Sequence, residues 1–290
     1  MTAPRDSAVR QASAYLHGHP RLRLAGVLTA PVLWLGVAYV GSLAALLVTA
    51  FWQVDPFTTE ITRSWTLQNF VDIATVDVYR TITLRTIAVA LAVTVIDAVV
   101  ALPIAFYMAK VASPRTARWM VVAVLMPLWA SYLVKAYAWR VMTIDGGVLD
   151  GSVGVSPGFG LATLVLTLAY LWLPYMILPI YAGLERMPNS LLDASADLGA
   201  HAGRTLRSVV FPIIVPAVFA GSVFTFSLSL GDYIAVEIVG GANQMLGTVV
   251  YDNVGAANNL PFAAAMASLS VLVMLGYLAA VRRTGALESL

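Results

Sequence analysis

Nucleotide chemistry leaves no trace in the 290 residues. No G-x-x-x-x-G-K-[ST] stretch occurs, so no nest of backbone N–H groups with its lysine can cradle a triphosphate. Gly154-Val155-Ser156-Pro157-Gly158 has the spacing of a nucleophile elbow. The residue after that serine must donate a backbone N–H to an oxyanion, and Pro157 has none, so the segment reads as a turn. The three histidines, His17, His19 and His201, are scattered and cysteine is absent, which removes thiolate metal sites and disulfides. No catalytic residue, metal or bound cofactor is expected of this chain.

The polar groups that stand out lie inside apolar runs. Asp97 is in the middle of one, where facing lipid would cost about 3 kcal/mol. It must face protein or water, either as a pathway residue that meets a cationic solute or as a carboxyl buried against a hydroxyl such as Thr94. Ser222, Thr225, Ser229 and Asp232 fall at helical spacing on a stripe less than a quarter-turn wide. That stripe suits the lining of a translocation route, and it equally suits helix packing by small hydroxylated residues. Trp129, Tyr132, Ala136 and Trp139 form a comparable stripe whose aromatic faces would accept an ammonium group. Trp139 also suits an interfacial belt.

Residues 185–212 are a polar island between two long apolar runs. Pro188 ends the first run, Asn189 or Ser190 can cap a short helix, and Asp193 stands three after Ser190 as in a weak capping box. Gly199 after Leu198 reads as the left-handed C-terminal residue of that helix, and Pro212 with Pro216 marks entry into the next run. Within the island, Asp193-Ala194-Ser195, then Gly199, then Val209, Phe211 and Pro212 fall on a spacing that resembles the EAA loop of ABC-importer permeases. In that family the short helix docks on an ATPase subunit. Asp193, Ala194, Ser195, Leu198, Gly199 and Pro212 are accordingly expected to couple this chain to an ATPase. Small residues at Ala194 and Ser195 let a partner approach, and the Asp193 carboxylate offers a charge-assisted contact. Asp for Glu and Ser for Ala are departures from the family pattern.

The elements that must position these residues are membrane helices. The chain is 60% hydrophobic and 11% charged, with a mean hydropathy of +0.83, far from a soluble composition. Six spans are expected at about 24–52, 85–110, 119–142, 161–184, 213–230 and 262–280, in one domain over 1–290. An amphipathic helix near Leu67 to Ala74 is expected in the first outer loop. Pro174 and Pro179 should kink span four without breaking it. Arg5, Arg10, Arg21, Arg23, Lys110, Arg115, Arg118, Arg186, Arg204, Arg207, Arg282 and Arg283 fall on one side, against Arg63, Arg80 and Arg85 on the other. Both termini and the 185–212 island are therefore expected in the cytoplasm. The net charge of +2, with basic residues at span ends, gives no nucleic-acid footprint.

Pro127-Leu128-Trp129, Lys135 to Arg140, Leu173-Pro174, Gly240-Gly241-Ala242-Asn243 and Pro261 to Ala265 extend the resemblance, which is to permeases of spermidine/putrescine importers. It implies an all-α, six-helix permease of the type I importer fold in a bacterial inner membrane. It also implies a second similar permease, two ATPase subunits that bind the ATP and Mg, and an extracytoplasmic binding protein. The implied mechanism is alternating access, with a polyamine as the substrate. Another small cation, an aminophosphonate or an oxyanion would suit the same architecture, and a membrane scaffold or sensor that binds an ATPase without transporting is a further reading.

Overall fold

The computed structural model describes residues 20–154 and 156–283. The N-terminal segment with Arg5 and Arg10, Val155 of the turn, and 284–290 lie outside the described residues. The chain opens with α1 (Pro20–Leu35), a π-helical turn (Gly36–Gly41) and α2 (Ser42–Thr49). A two-stranded hairpin, β1 (Gln53–Val54) and β2 (Ile61–Thr62), pairs antiparallel with Gln53 opposite Thr62. Then come α3 (Gln68–Thr75), matching the amphipathic helix expected near Leu67 to Ala74, and α4 (Asp77–Phe106), which a π turn extends to Val111. α4 begins eight residues before the expected span, because Asp77 and Arg80 form an exposed ion pair (3.2 Å) on its first turn and carry the helix beyond the apolar run.

The expected continuous span at 119–142 is not one helix. It is α5 (Pro114–Trp129) and α6 (Tyr132–Thr143), bent by 94° at Ala130, which is extended, and Ser131. Pro127 has no N–H to give the preceding turn, so the helix is already weakened three residues before the bend. Hydropathy does not register such a break, since both halves are apolar. Trp129 and Tyr132 consequently do not share a face, and the aromatic stripe expected across them does not exist.

α7 (Val148–Val153) lies in the following loop, and α8 (Leu161–Arg186) runs through Pro174 and Pro179 as one helix. The island folds as α9 (Ser190–Asp197) and α10 (Ala202–Thr205), and a π turn (Leu206–Val210) leads into α11 (Phe211–Leu230). The segment from 231 to 261 carries α12 (Ile234–Val239) and α13 (Leu246–Val254), and α14 (Leu260–Arg283) follows. Among the described residues five helical stretches are long and apolar enough to cross a membrane, or six if the bent α5–α6 pair counts as one span.

The core is the packing of α4, α8 and α11 on one another. Glycine permits the closest approach: a Cβ at Gly221 would stand 2.7 Å from Met176 Sδ, and one at Gly183 would stand 2.9 Å from Ala217 Cβ. Small residues at helix crossings give membrane bundles their van der Waals contact. α4 also fixes the two ends of the molecule. Near its start, Thr86 Oγ1 accepts from Leu246 N (3.0 Å) and Arg85 donates to Gln244 O (3.3 Å). Just past its end, Lys110 reaches the island. The hairpin and the 231–261 segment therefore lie at the end opposite the island.

Candidate functional site

The island is built from local bonds. Gly199 has φ +74°, its N–H donates to Ala196 O (2.8 Å), and Ala200 N–H donates to Ser195 O (3.1 Å). This pair of bonds is a Schellman cap and satisfies carbonyls that the end of α9 would leave open. The N-terminal end differs from the capping expectation: Asn189 precedes α9 but its side chain caps no backbone N–H. Its Oδ1 accepts instead from Lys110 Nζ (2.9 Å), which also donates to Met187 O (2.6 Å). Met187 is buried with Leu184, Val210 and Ile214. The start of α9 is thus tied to the end of α4 by two bonds from one ammonium and to the core by one apolar side chain.

α9 divides its small residues between two faces. Ala194 and Asp193 are exposed, and the Asp193 carboxylate has no hydrogen bond or ion pair among the described residues. Ser195 is turned inward, 2.8 Å from Thr205 Oγ1, and so joins α9 to α10. α10 begins at His201, whose Nδ1 accepts from Arg204 N (3.3 Å). Between the two short helices runs a concave groove of about 420 Å³, lined by Leu191, Ala194, Ser195, Leu198, Arg204 and Val209 among others. Leu198 is 88% exposed at its edge. Pro212 is exposed near the start of α11, but the helix does not begin there. In the π turn Phe211 N–H bonds Leu206 O, and Pro212, which has no N–H, follows at once.

The second polar region is inside the bundle. Ser222, Thr225 and Ser229 are all buried, as is Asp97, which is 0% exposed. Thr225 Oγ1 lies 3.4 Å from Thr94 Oγ1 across the α4–α11 contact, and Tyr277 Oη donates to Ser222 Oγ (2.7 Å) from α14. Ser222, Thr225 and Ser229 of the stripe expected on span five share a buried face toward α4 and α14 of the same chain, whereas Asp232 lies beyond the end of α11 at Leu230. Among the described residues the Asp97 carboxylate and Ser229 Oγ have no hydrogen-bond partner. Asp232 is buried at the end of α11: Tyr132 Oη donates to Oδ2, and Ala235 N–H donates to Oδ1 (2.9 Å), which starts α12. The structure therefore joins Tyr132 to Asp232, and it leaves Trp129 80% exposed at the end of α5.

Three groups escaped the sequence reading. Lys110 counted only as a basic span end; its partners lie more than 70 residues away and left no local signal. Tyr175 and Phe224 sit in runs that read as plain membrane helix. They stack with ring centroids 6.3 Å apart, and Trp172 packs on Tyr175 at 6.0 Å and on Tyr132 at 5.9 Å. Phe224 is half exposed, so this aromatic surface reaches the outside of the chain.

Residues 90–284 match the family described as binding-protein-dependent transport system inner membrane component. The chain is 39% identical to the inner membrane ABC transporter permease protein YdcU of Escherichia coli strain K12, over all of this chain and 98% of that one. It is 30% identical to the spermidine/putrescine transport system permease protein PotB of Haemophilus influenzae, over 63% of this chain and 67% of that one. Among solved structures, a chain of a bacterial ABC transporter that imports the acidic polysaccharide alginate superposes with TM-score 0.69 at 14% identity, covering 93% of this chain and 99% of that one. A chain of the methionine ABC transporter MetNI superposes with TM-score 0.53 at 18% identity, over 72% and 96%. The fold is that of a type I importer permease. The chain belongs to the binding-protein-dependent transport system inner membrane component family, and is a multi-pass permease subunit of an ABC importer in the bacterial inner membrane.

Proposed function

We propose that this permease pairs with a second, similar permease and two ATPase subunits to import a polyamine, spermidine or putrescine, delivered by an extracytoplasmic binding protein. The observation that carries the coupling half is the tie from Lys110 to Met187 and Asn189. It makes α9 and the end of α4 one body, so an ATPase that moves α9 moves a membrane span with it. In this reading the island faces the cytoplasm, as do both termini. Asp193, Ala194, Leu198 and Gly199 meet the ATPase, Ser195 sets the angle between α9 and α10, and Pro212 stands where the helix enters the membrane. The ATP-closed ATPase pair and the loaded binding protein supply the differential binding that any shift between inward and outward states requires.

The substrate half rests on two supports. One is the likeness to the spermidine/putrescine permeases. The other is the aromatic surface of Trp172, Tyr175 and Phe224, whose ring faces attract ammonium groups. In this reading that surface lines the route. Asp97, Ser222, Thr225, Ser229 and the Tyr132–Asp232 pair join the route when α4 and α11 separate, and Trp129 flanks it at the end of α5. The test is ATP hydrolysis by the reconstituted complex with its binding protein, scanned over spermidine, putrescine, an aminophosphonate and an oxyanion. Stimulation by polyamine alone is expected. Stimulation only by a different solute overturns the substrate and leaves the coupling role of α9 standing. Hydrolysis that no solute stimulates, with α9 variants that still bind ATPase normally, overturns both.

A further inference from the structure

At the end opposite the island, the β1–β2 hairpin is built to hold one aromatic ring away from the protein. Asp55 Oδ1 accepts from Phe57 N (2.8 Å) and Thr58 N (3.0 Å), Asp55 N–H donates to Glu60 O (2.9 Å), and Thr59 N–H donates to Asp55 O (2.8 Å) with φ +56° at Thr59. The turn is an Asx turn closed by a left-handed residue, so its tip has little freedom left. The base is equally fixed. Thr62 Oγ1 donates to Gln53 O (3.1 Å), and the buried Asn69 side chain donates to Ala50 O (2.8 Å) and Trp52 O (2.9 Å). Phe51 packs against Trp65 and Phe70 at 5.7 and 5.2 Å, and Arg63 lies over Trp52 at 5.4 Å. All of this order ends in Phe57, which is 95% exposed.

A loop that served only to join two spans would not hold a phenylalanine in water on a rigid support. Pre-ordered aromatic side chains are what protein interfaces use as anchors, because the ordering cost is met before binding. Two acids stand close to it in sequence, Asp55 two residues before Phe57 and Glu60 three after. Hydrogen bonds from the Thr58 and Phe57 backbone hold the Asp55 carboxyl below its usual range, so it stays charged outside the cell. A hairpin that carries an exposed ring and two acids is poorly suited to an anionic lipid surface and well suited to an apolar pocket with a basic rim. The geometry points to the Phe57 hairpin as a docking knob for the extracytoplasmic binding protein, inserting Phe57 into a pocket edged by Lys or Arg. This rests on the importer assembly proposed above.

The experiment uses the full complex in proteoliposomes, titrated with purified spermidine-binding protein loaded with spermidine. For wild type, hydrolysis rises with the loaded protein. For Phe57→Ala the half-saturating concentration rises about tenfold, and Phe57→Trp restores it, with subunit stoichiometry in the purified complex confirming that each variant assembles. A photoreactive benzoylphenylalanine at position 57 then cross-links to the binding protein. An unchanged half-saturating concentration overturns the knob, and so does a cross-link to lipid alone. A wild-type complex that the spermidine-loaded protein does not stimulate overturns the polyamine reading, and with it the knob as a dock for this binding protein.

Discussion

The molecule has two places where polar groups interrupt apolar helix, and they are held in opposite ways. In the 185–212 island, backbone caps reach only a few residues along the chain, and the polar side chains Asp193, Arg204 and Arg207 are left to solvent. In the bundle, polar groups are buried and depend on distant partners: Tyr132 on Asp232, Thr94 on Thr225, Tyr277 on Ser222. The first arrangement keeps a surface free for a partner, and the second holds helices together while leaving the Asp97 carboxylate unmatched. An exposed polar group loses little when altered, because water replaces the contact. A buried one that loses its partner bears the full cost of desolvation.

The sharpest break of this contrast is Tyr132→Phe. It leaves Asp232 Oδ2 buried without its donor, and a loss of about 1–3 kcal/mol is expected. The same loss should appear in Asp232→Ala, and the double variant should cost little more than either alone. Thermal unfolding in detergent reads this, and fully additive losses would show that the two groups are not coupled. Next in size is Gly199→Val, which places a β-branched residue at φ +74° and is expected to cost about 1–2 kcal/mol locally. Because the site is exposed, that cost should appear as weaker ATPase association with little change in the unfolding temperature of the permease.

Lys110→Met tests the tie between the regions. It should lower transport severalfold while ATPase subunits still co-purify, since α9 keeps its own caps and loses only its link to α4. If uptake and hydrolysis stay coupled, the lever must run through Met187 alone. The smallest effect belongs to Asp193→Asn. An exposed carboxylate meeting a cation is worth about 0.2–1 kcal/mol, so ATPase association should weaken less than about tenfold, with the difference fading at high salt.

The reach of the sequence follows the same divide. The α9 helix, its left-handed Gly199 and the spans that flank the island were legible because a cap and a membrane span are written in consecutive residues. The expected short helix and the observed one agree to within a residue or two. The 94° bend between α5 and α6 was not legible, since Trp129, Ala130, Ser131 and Tyr132 carry neither a glycine nor a polar run to announce it. Pro127 was visible, but a proline inside a membrane helix predicts a kink more often than a break, as Pro174 and Pro179 in α8 illustrate. On span five Ser222, Thr225 and Ser229 do share a face, Asp232 falls past the end of the helix, and the direction of that face was beyond reach: period 3.6 says which residues share a face and nothing about what lies opposite.

The sequence by itself determined that this chain crosses a membrane several times, that it has no nucleotide loop of its own, and that a short capped helix interrupts it at 190–197. Those properties are sums or patterns over neighbouring residues, so solvent transfer and local backbone bonding settle them before any helix finds another. Only the tertiary structure decided that Lys110 holds the island to α4, that Tyr132 belongs to Asp232 and that, among the described residues, Asp97 has no hydrogen-bond partner and Phe57 is left exposed. Each of these depends on which helix lies against which. That choice is made by close packing at residues such as Gly183 and Gly221, far along the chain from the groups it brings together or keeps apart.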